Sequence, residues 1–173
     1  MIAAWALSAA AALAAASDAV PPTEQEVKAA YLYNFAKYVE WPQAAAPEPQ
    51  WVVGVLGDDE FGEVLQKLLA GKTARERPFV ARRLLDPQQA AQAHIVFIAA
   101  SEAPRLPAIL KSLEGSRALT VSDIDGFAEK GGMIGFRMDG KKVRFDISPQ
   151  AATRAGLRIS SQLLALARVV QSR

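Results

Sequence analysis

The chain has 173 residues, a size that fits one domain and can bury a core of its own. Its hydrophobic content of 51% is that of a globular protein, and the absence of cysteine excludes disulfides, thiol nucleophiles and cysteine-based metal or redox motifs. A net charge of +2, with basic residues scattered (Arg75, Arg77, Arg82, Arg83, Lys141, Lys142, Arg144), lacks the dense footprint of a nucleic-acid binder, so no nucleic acid is expected as a partner.

Residues Ile2–Ala16 carry no charge and run into small residues, Ala14-Ala15-Ala16 and then Ser17-Asp18-Ala19. This reads as a cleaved signal peptide over residues 1–19, ahead of a single domain over 20–173. The lack of Lys or Arg near Met1 departs from the usual pattern, and a Pro- and Ala-rich disordered leader is the alternative. A membrane span needs about 20 apolar residues, and polar Ser17-Asp18 cuts this run short.

Val27–Pro42, VKAAYLYNFAKYVEWP, holds all three tyrosines, with Phe35 and Trp41. Thr23 and Glu26 form a capping box that opens a helix near Thr23, and the Trp41-Pro42 pair is expected to end it. Tyr31, Phe35 and Tyr38 share a face that reads as core. A helix turns about 100° per residue, so Tyr33 points elsewhere, beside Ala36, Lys37 and Glu40. Tyr33 and Trp41 are good interface anchors. The candidate partner-binding set is therefore Tyr33, Lys37, Glu40 and Trp41.

Ala44–Gln50 is a short Pro-rich loop. Trp51–Leu56 reads as a buried strand, and Asp59–Leu69 as a helix capped by Asp58 or Asp59 and stopped by Gly71. Phe79–Leu84 is a more polar strand. Asp86-Pro87 opens a short helix to Ala93, and His94–Ala99 is an apolar strand. Pro104–Leu113 is a helix and Ala118–Ser122 a strand. Met133–Met138 and Lys141–Ile147 flank Asp139-Gly140, a type I′ hairpin signal. Ser148-Pro149 caps a helix that stops near Gly156. Ser160–Gln171 is expected as a closing helix with Leu163, Leu166, Ala167 and Val170 buried. The alternation of strands and helices implies an α/β fold: three layers, a mostly parallel sheet flanked by helices, with a terminal antiparallel hairpin strand.

Open parallel sheets bind ligands beyond the carboxyl ends of their strands. Those ends supply Asp58, Ser101, Ser122 and Asp123, the candidate ligand-binding residues, on an acidic, hydroxyl-bearing rim. Such a rim argues against phosphates. Its carboxylates have three readings: helix and turn caps, recognition of an amine or of a partner's basic groups, or a hard cation such as calcium without an EF-hand spacing. Gly71-Lys72-Thr73 resembles the end of a P-loop, but Gln66 stands where the first glycine is required. His94 opens its strand, away from the rim, and reads as structural. No nucleophile–base pair, GxSxG elbow or metal-ligand cluster is legible. Catalysis, a cofactor and a metal are therefore not expected, although paired carboxylates leave acid–base chemistry open.

The segments VKAAYLYNFAKYVEWP, VLGDDEFGEVLQKLLAGK, AHIVFIAASE, LTVSDIDGFAEKGGMIGF and VRFDISPQAATRAGLRISSQLLALARVV follow in that order from about Glu26 to Val170. Together they resemble the YfiR-like family of exported bacterial proteins. The resemblance implies a periplasmic, non-catalytic protein that binds the periplasmic sensor domain of an inner-membrane diguanylate cyclase and represses it, lowering cyclic-di-GMP and biofilm output. It also implies that a homodimer can form. Some relatives carry cysteines that allow redox control, which this chain lacks, and relatives often place Asn where Gly135 stands. The alternative is an envelope protein that binds a small ligand of unknown identity in a strand-end crevice lined by Ser122, Asp123 and an aromatic of the first helix.

Overall fold

The computed structural model describes residues 20–42, 49–57 and 60–172. The expected leader, Asp58 and Asp59 lie outside the described residues, as does most of the Pro-rich loop.

Helix α1 (Glu24–Tyr38) opens on the expected capping box. Glu26 N–H donates to Thr23 Oγ1 at 3.2 Å, and Thr23 N–H to Glu26 Oε2 at 2.7 Å, so two donors left free by the helix start are satisfied. The buried face is centred on Ala29, Leu32, Phe35 and Ala36. Tyr31 only flanks it, with its ring 5.0 Å from that of Phe145, and Tyr38 is 38% exposed. Tyr38 is thus not the core residue expected.

The helix also ends earlier than Trp41-Pro42. β-branched Val39 takes extended geometry, and β1 (Val39–Glu40) pairs antiparallel with β9 (Arg158–Ile159) in a separate two-stranded sheet. The local proline signal is pre-empted by this tertiary strand partner.

The main sheet comprises β2 (Trp51–Leu56), β3 (Thr73–Ala74), β4 (Arg77–Leu84), β5 (Ile95–Ile98), β6 (Leu119–Ser122), β7 (Ile134–Asp139), β8 (Lys142–Ile147) and β10 (Arg168–Val169). Their order is β10-β8-β7-β6-β5-β2-β4-β3. The run β7-β6-β5-β2-β4 is parallel, while the hairpins β7–β8 and β3–β4 are antiparallel. Helices α1, α2 (Phe61–Leu69), α5 (Pro149–Arg154) and α6 (Ser161–Leu164) share one core with Val53, Val55, Phe97, Val121, Phe136 and Phe145. Helices α3 (Pro87–Ala90) and α4 (Leu106–Ser112), the latter led in by a 3-10 turn over Ala100–Arg105, share the other core with Leu56, Val96, Ile98 and Phe127. Side chains alternate across a strand, so β2 and β5 feed both cores. This is the three-layer α/β arrangement expected.

Both hairpins use turns the local sequence does not announce. The register pairs Asp139 with Lys142, so the β7–β8 loop is Gly140-Lys141. Gly140 has φ +59 while Lys141 does not have positive φ, the type II′ pattern rather than I′. The β3–β4 loop is Arg75-Glu76, with φ +49 and +63. A type I′ turn therefore forms without glycine.

The closing helix Ser160–Gln171 is not found: α6 stops at Leu164, leaving Leu166 68% exposed. The chain instead adds β10, parallel to β8 through Arg168↔Asp146 and Val169↔Ile147. Asp146 is 7% exposed and accepts two bonds from Arg168, at Nε and Nη2, and one from Arg137. A paired carboxylate and an open strand edge thus outweigh an apolar helical stripe. The hairpin strand β8 is in consequence an inner strand, not an edge.

Candidate functional site

At the carboxyl ends of the strands, the rim is closed by pairs within the chain. Asp123 follows β6 and meets Lys28 of α1, with Lys28 Nζ donating to Asp123 Oδ2 at 2.8 Å. Glu24, one turn earlier, adds a contact to the same ammonium at 2.6 Å. Lys28 is 4% exposed. Burial pulls its ammonium toward a lower pKa, but the hydrogen bonds it donates to Asp123 and Glu24, with their negative charges, together outweigh it and hold Lys28 above the ordinary lysine value. The amine expected to meet Asp123 is therefore the protein's own. The other oxygen of this carboxylate, Asp123 Oδ1, is buried without a hydrogen-bond partner.

Ser122 is fully buried. Its hydroxyl donates to the Ile98 carbonyl at 2.6 Å and accepts from Ile124 N–H at 3.0 Å, so it ties β6 to β5 and fixes the following turn. Ser101 is exposed in the 3-10 turn. A Cβ at Gly57, which has φ +106, would fall 2.8 Å from Ser101 Oγ, so only glycine lets the end of β2 approach. Asp58 lies outside the described residues. Among the described residues, no group of three or more His, Cys, Asp or Glu is placed to hold a metal ion. The rim thus brings Ser122 and Asp123 together, but as structural groups.

Lys28 was legible in principle. It recurs with Leu32 and Phe35 at helical spacing, and a lysine on a buried stripe needs an anionic partner.

The partner-binding set lies toward the other end of α1. Tyr33 is half-buried: its ring is 5.4 Å from Phe79, its hydroxyl donates to the Thr73 carbonyl at 3.1 Å, and Lys37 Nζ lies 4.0 Å from its centroid. Trp41 is also half-buried: its ring is 5.0 Å from that of Trp51, and Nε1 donates to the Arg117 carbonyl at 2.9 Å. Lys37 and Glu40 are exposed. The two aromatics are therefore partly committed to the fold, and the two charged residues carry the free part of this surface.

Trp41 also borders a cleft of about 900 Å³ at the amino end of the sheet. Trp51, Arg75, Arg77, Arg82 and Arg117 line it as well, with Gln92 and His94. Arg75 Nη2 donates to the carbonyls of Lys37 and Val39, fastening the β3–β4 turn to the end of α1. Arg77 stacks 4.2 Å over the Trp51 ring and donates to the Gln50 carbonyl. Arg75, Arg77 and Arg82 fall in one short stretch, but Arg117 is distant in sequence. Only the sheet topology brings Arg117 beside the others, which is why the strand-end rim, and not this cleft, was legible.

Gly135 pairs with Ser122 and Asp146 in the sheet. A Cβ there would lie 3.3 Å from Phe127 Cβ and 3.4 Å from Ala128 N, so an asparagine at this position would need Phe127 to shift.

Fold and rim together define a mostly parallel α/β domain whose strand-end residues hold the structure together. The chain belongs to the YfiR/HmsC-like family, matched over residues 25–168. The membership supports a periplasmic regulator role in general terms. Among solved structures, the chain is similar to a conserved domain protein from Vibrio cholerae O1 biovar El Tor, with TM-score 0.62 and 13% identity over 85% of this chain and 60% of that one. That likeness concerns the fold alone, and the matched part is less than two thirds of the other chain's length. Among the described residues, no helix is long and apolar enough to cross a membrane.

Proposed function

We propose that the protein is exported by a cleaved signal peptide over residues 1–19 and acts in the periplasm as a non-enzymatic regulator. It binds the periplasmic sensor domain of an inner-membrane diguanylate cyclase, or a similar signalling protein, and represses it. The family match over residues 25–168 carries this reading. The surface offered to the partner is the C-terminal half of α1 with its exit, where Lys37 and Glu40 are exposed beside the half-buried rings of Tyr33 and Trp41. Opposite charges at the rim of an interface mainly steer association and fix register, while half-buried aromatics supply contact area.

The test is co-purification of the tagged full chain from solubilised membranes, followed by assay of the recovered protein's cyclase activity with and without the chain. Recovery of an inner-membrane protein whose diguanylate cyclase activity falls when the chain is added is the expected result. Recovery of none, or of one whose signalling output is indifferent to the chain, would overturn the proposal.

A further inference from the structure

We infer that Tyr33, Lys37 and Lys72 form a docking surface for an acidic segment of a partner protein. The inference rests on reading the end of α1 as the partner-binding surface, and it adds the partner's chemistry and a residue from outside that helix. Lys37 lies in the last turn of α1, while Lys72 stands between α2 and β3. Both are exposed, and both reach the ring of Tyr33. Lys37 Nζ lies 4.0 Å from the ring centroid and Lys72 Nζ 5.5 Å, each within the cation–π range of about 6 Å.

The backbone fixes this meeting point. Gly71, with φ +71, makes the turn out of α2. Lys72 N–H then donates to the Leu69 carbonyl at 3.0 Å, and the Lys72 carbonyl accepts from Phe79 N–H at 3.3 Å. Tyr33 is fastened to the next residue, its hydroxyl donating to the Thr73 carbonyl, and its ring packs against Phe79. Each lysine follows the course of a helix to its carboxyl end, where the helix dipole favours a cation. The dipole does not direct two ammoniums from two helix ends onto one ring.

Neither ammonium has a hydrogen bond or an ion pair among the described residues. The exposed carboxylates of Glu40 and Glu76 do not pair with them there. Arg75 adds a third positive charge beside Lys37, its Nη2 donating to the carbonyls of Lys37 and Val39. Cations held together raise the local positive potential and draw in an anionic group. A carboxylate has two oxygens, so one acidic side chain can meet both ammoniums while the Tyr33 ring gives it a flat neighbour. Neither lysine lines the cleft bordered by Trp41 or the smaller one beside α5 and β9. The carboxylate they fit is therefore one carried on a surface laid against them, and complementary charge of this kind steers association and fixes register.

The experiment is fluorescence polarisation of labelled hexaglutamate and hexalysine peptides titrated with the full chain, at low and at physiological ionic strength. Hexaglutamate should bind and hexalysine should not, with affinity falling as salt rises. Lys37→Ala with Lys72→Ala should weaken the binding at least about tenfold, with the circular dichroism spectrum unchanged. Lys141→Ala with Lys142→Ala, two exposed lysines on the β7–β8 hairpin, should leave it intact. No binding at millimolar concentration would overturn the inference, and so would an equal loss in the hairpin variant, which would mark mere charge attraction. Co-purification from membranes separates this outcome from failure of the regulatory role. A cyclase recovered equally by wild type and by Lys72→Glu would overturn the inference and leave the role standing. Hexaglutamate binding that needs Lys37 and Lys72, with no membrane protein recovered, would support the surface and remove the proposed partner.

Discussion

Lys28 and Asp123 are 95 positions apart in the chain, yet their contact joins the first helix to the end of β6. Removing one partner of a buried ion pair strands the other charge. Lys28→Met should therefore destabilise the protein by about 3 kcal/mol, the lower end of the range for such losses because the Asp123 side chain keeps 20% of its exposure. Because the folded-state pKa of Lys28 is raised, its contribution is fully present below the ordinary lysine value and is lost as pH rises through the raised one. The stability gap between wild type and Lys28→Met should thus stay constant from neutral pH to about pH 10 and shrink above it. Urea unfolding across that range measures both effects. A gap that did not shrink above that pH would show that the charge of Lys28 does not carry the effect.

The elements show where local chemistry suffices and where it is overridden. The capping box of α1, the Asp86 cap of α3 and the apolar runs of β2 and β5 were legible because each is specified by residues a few positions apart. The end of α1 and the fate of residues 165–170 were not, because each is set by a distant strand. Val39–Glu40 finds β9, and Arg168 finds Asp146. The candidate site divides the same way. Asp123 was legible as a rim carboxylate, but its partner Lys28 and the four convergent arginines depend on how α1 and the sheet are laid together. The Arg75-Glu76 turn provides a test at this scale. Glu76 has φ +63, a conformation that costs an ordinary L-residue about 1–2 kcal/mol. Glycine removes that cost at some loss of unfolded-state entropy. Glu76→Gly, which leaves the contacts of Arg75 in place, should raise stability by about 0.5–1 kcal/mol. An unchanged or lowered thermal midpoint would mean that the turn is held by more than its own backbone.

Near the carboxyl ends of the strands, acids are paired with bases, as Asp123 is with Lys28 and Glu102 with Arg105. Toward the amino ends lie the arginine-lined cleft and, beside it, the exposed Lys37 and Glu40. Lys37 and Glu40 are the residues on which the proposed surface can be tested without disturbing the fold, since Tyr33 and Trp41 each hold structural bonds. The most direct measurement of the regulatory role is intracellular cyclic-di-GMP in a deletion strain complemented with wild type or with Lys37→Glu combined with Glu40→Lys. Cyclic-di-GMP should rise on deletion, return with wild type and stay high with the charge-reversed variant at equal periplasmic abundance. An unchanged level on deletion would contradict the proposed role, and full restoration by the variant would contradict the proposed surface.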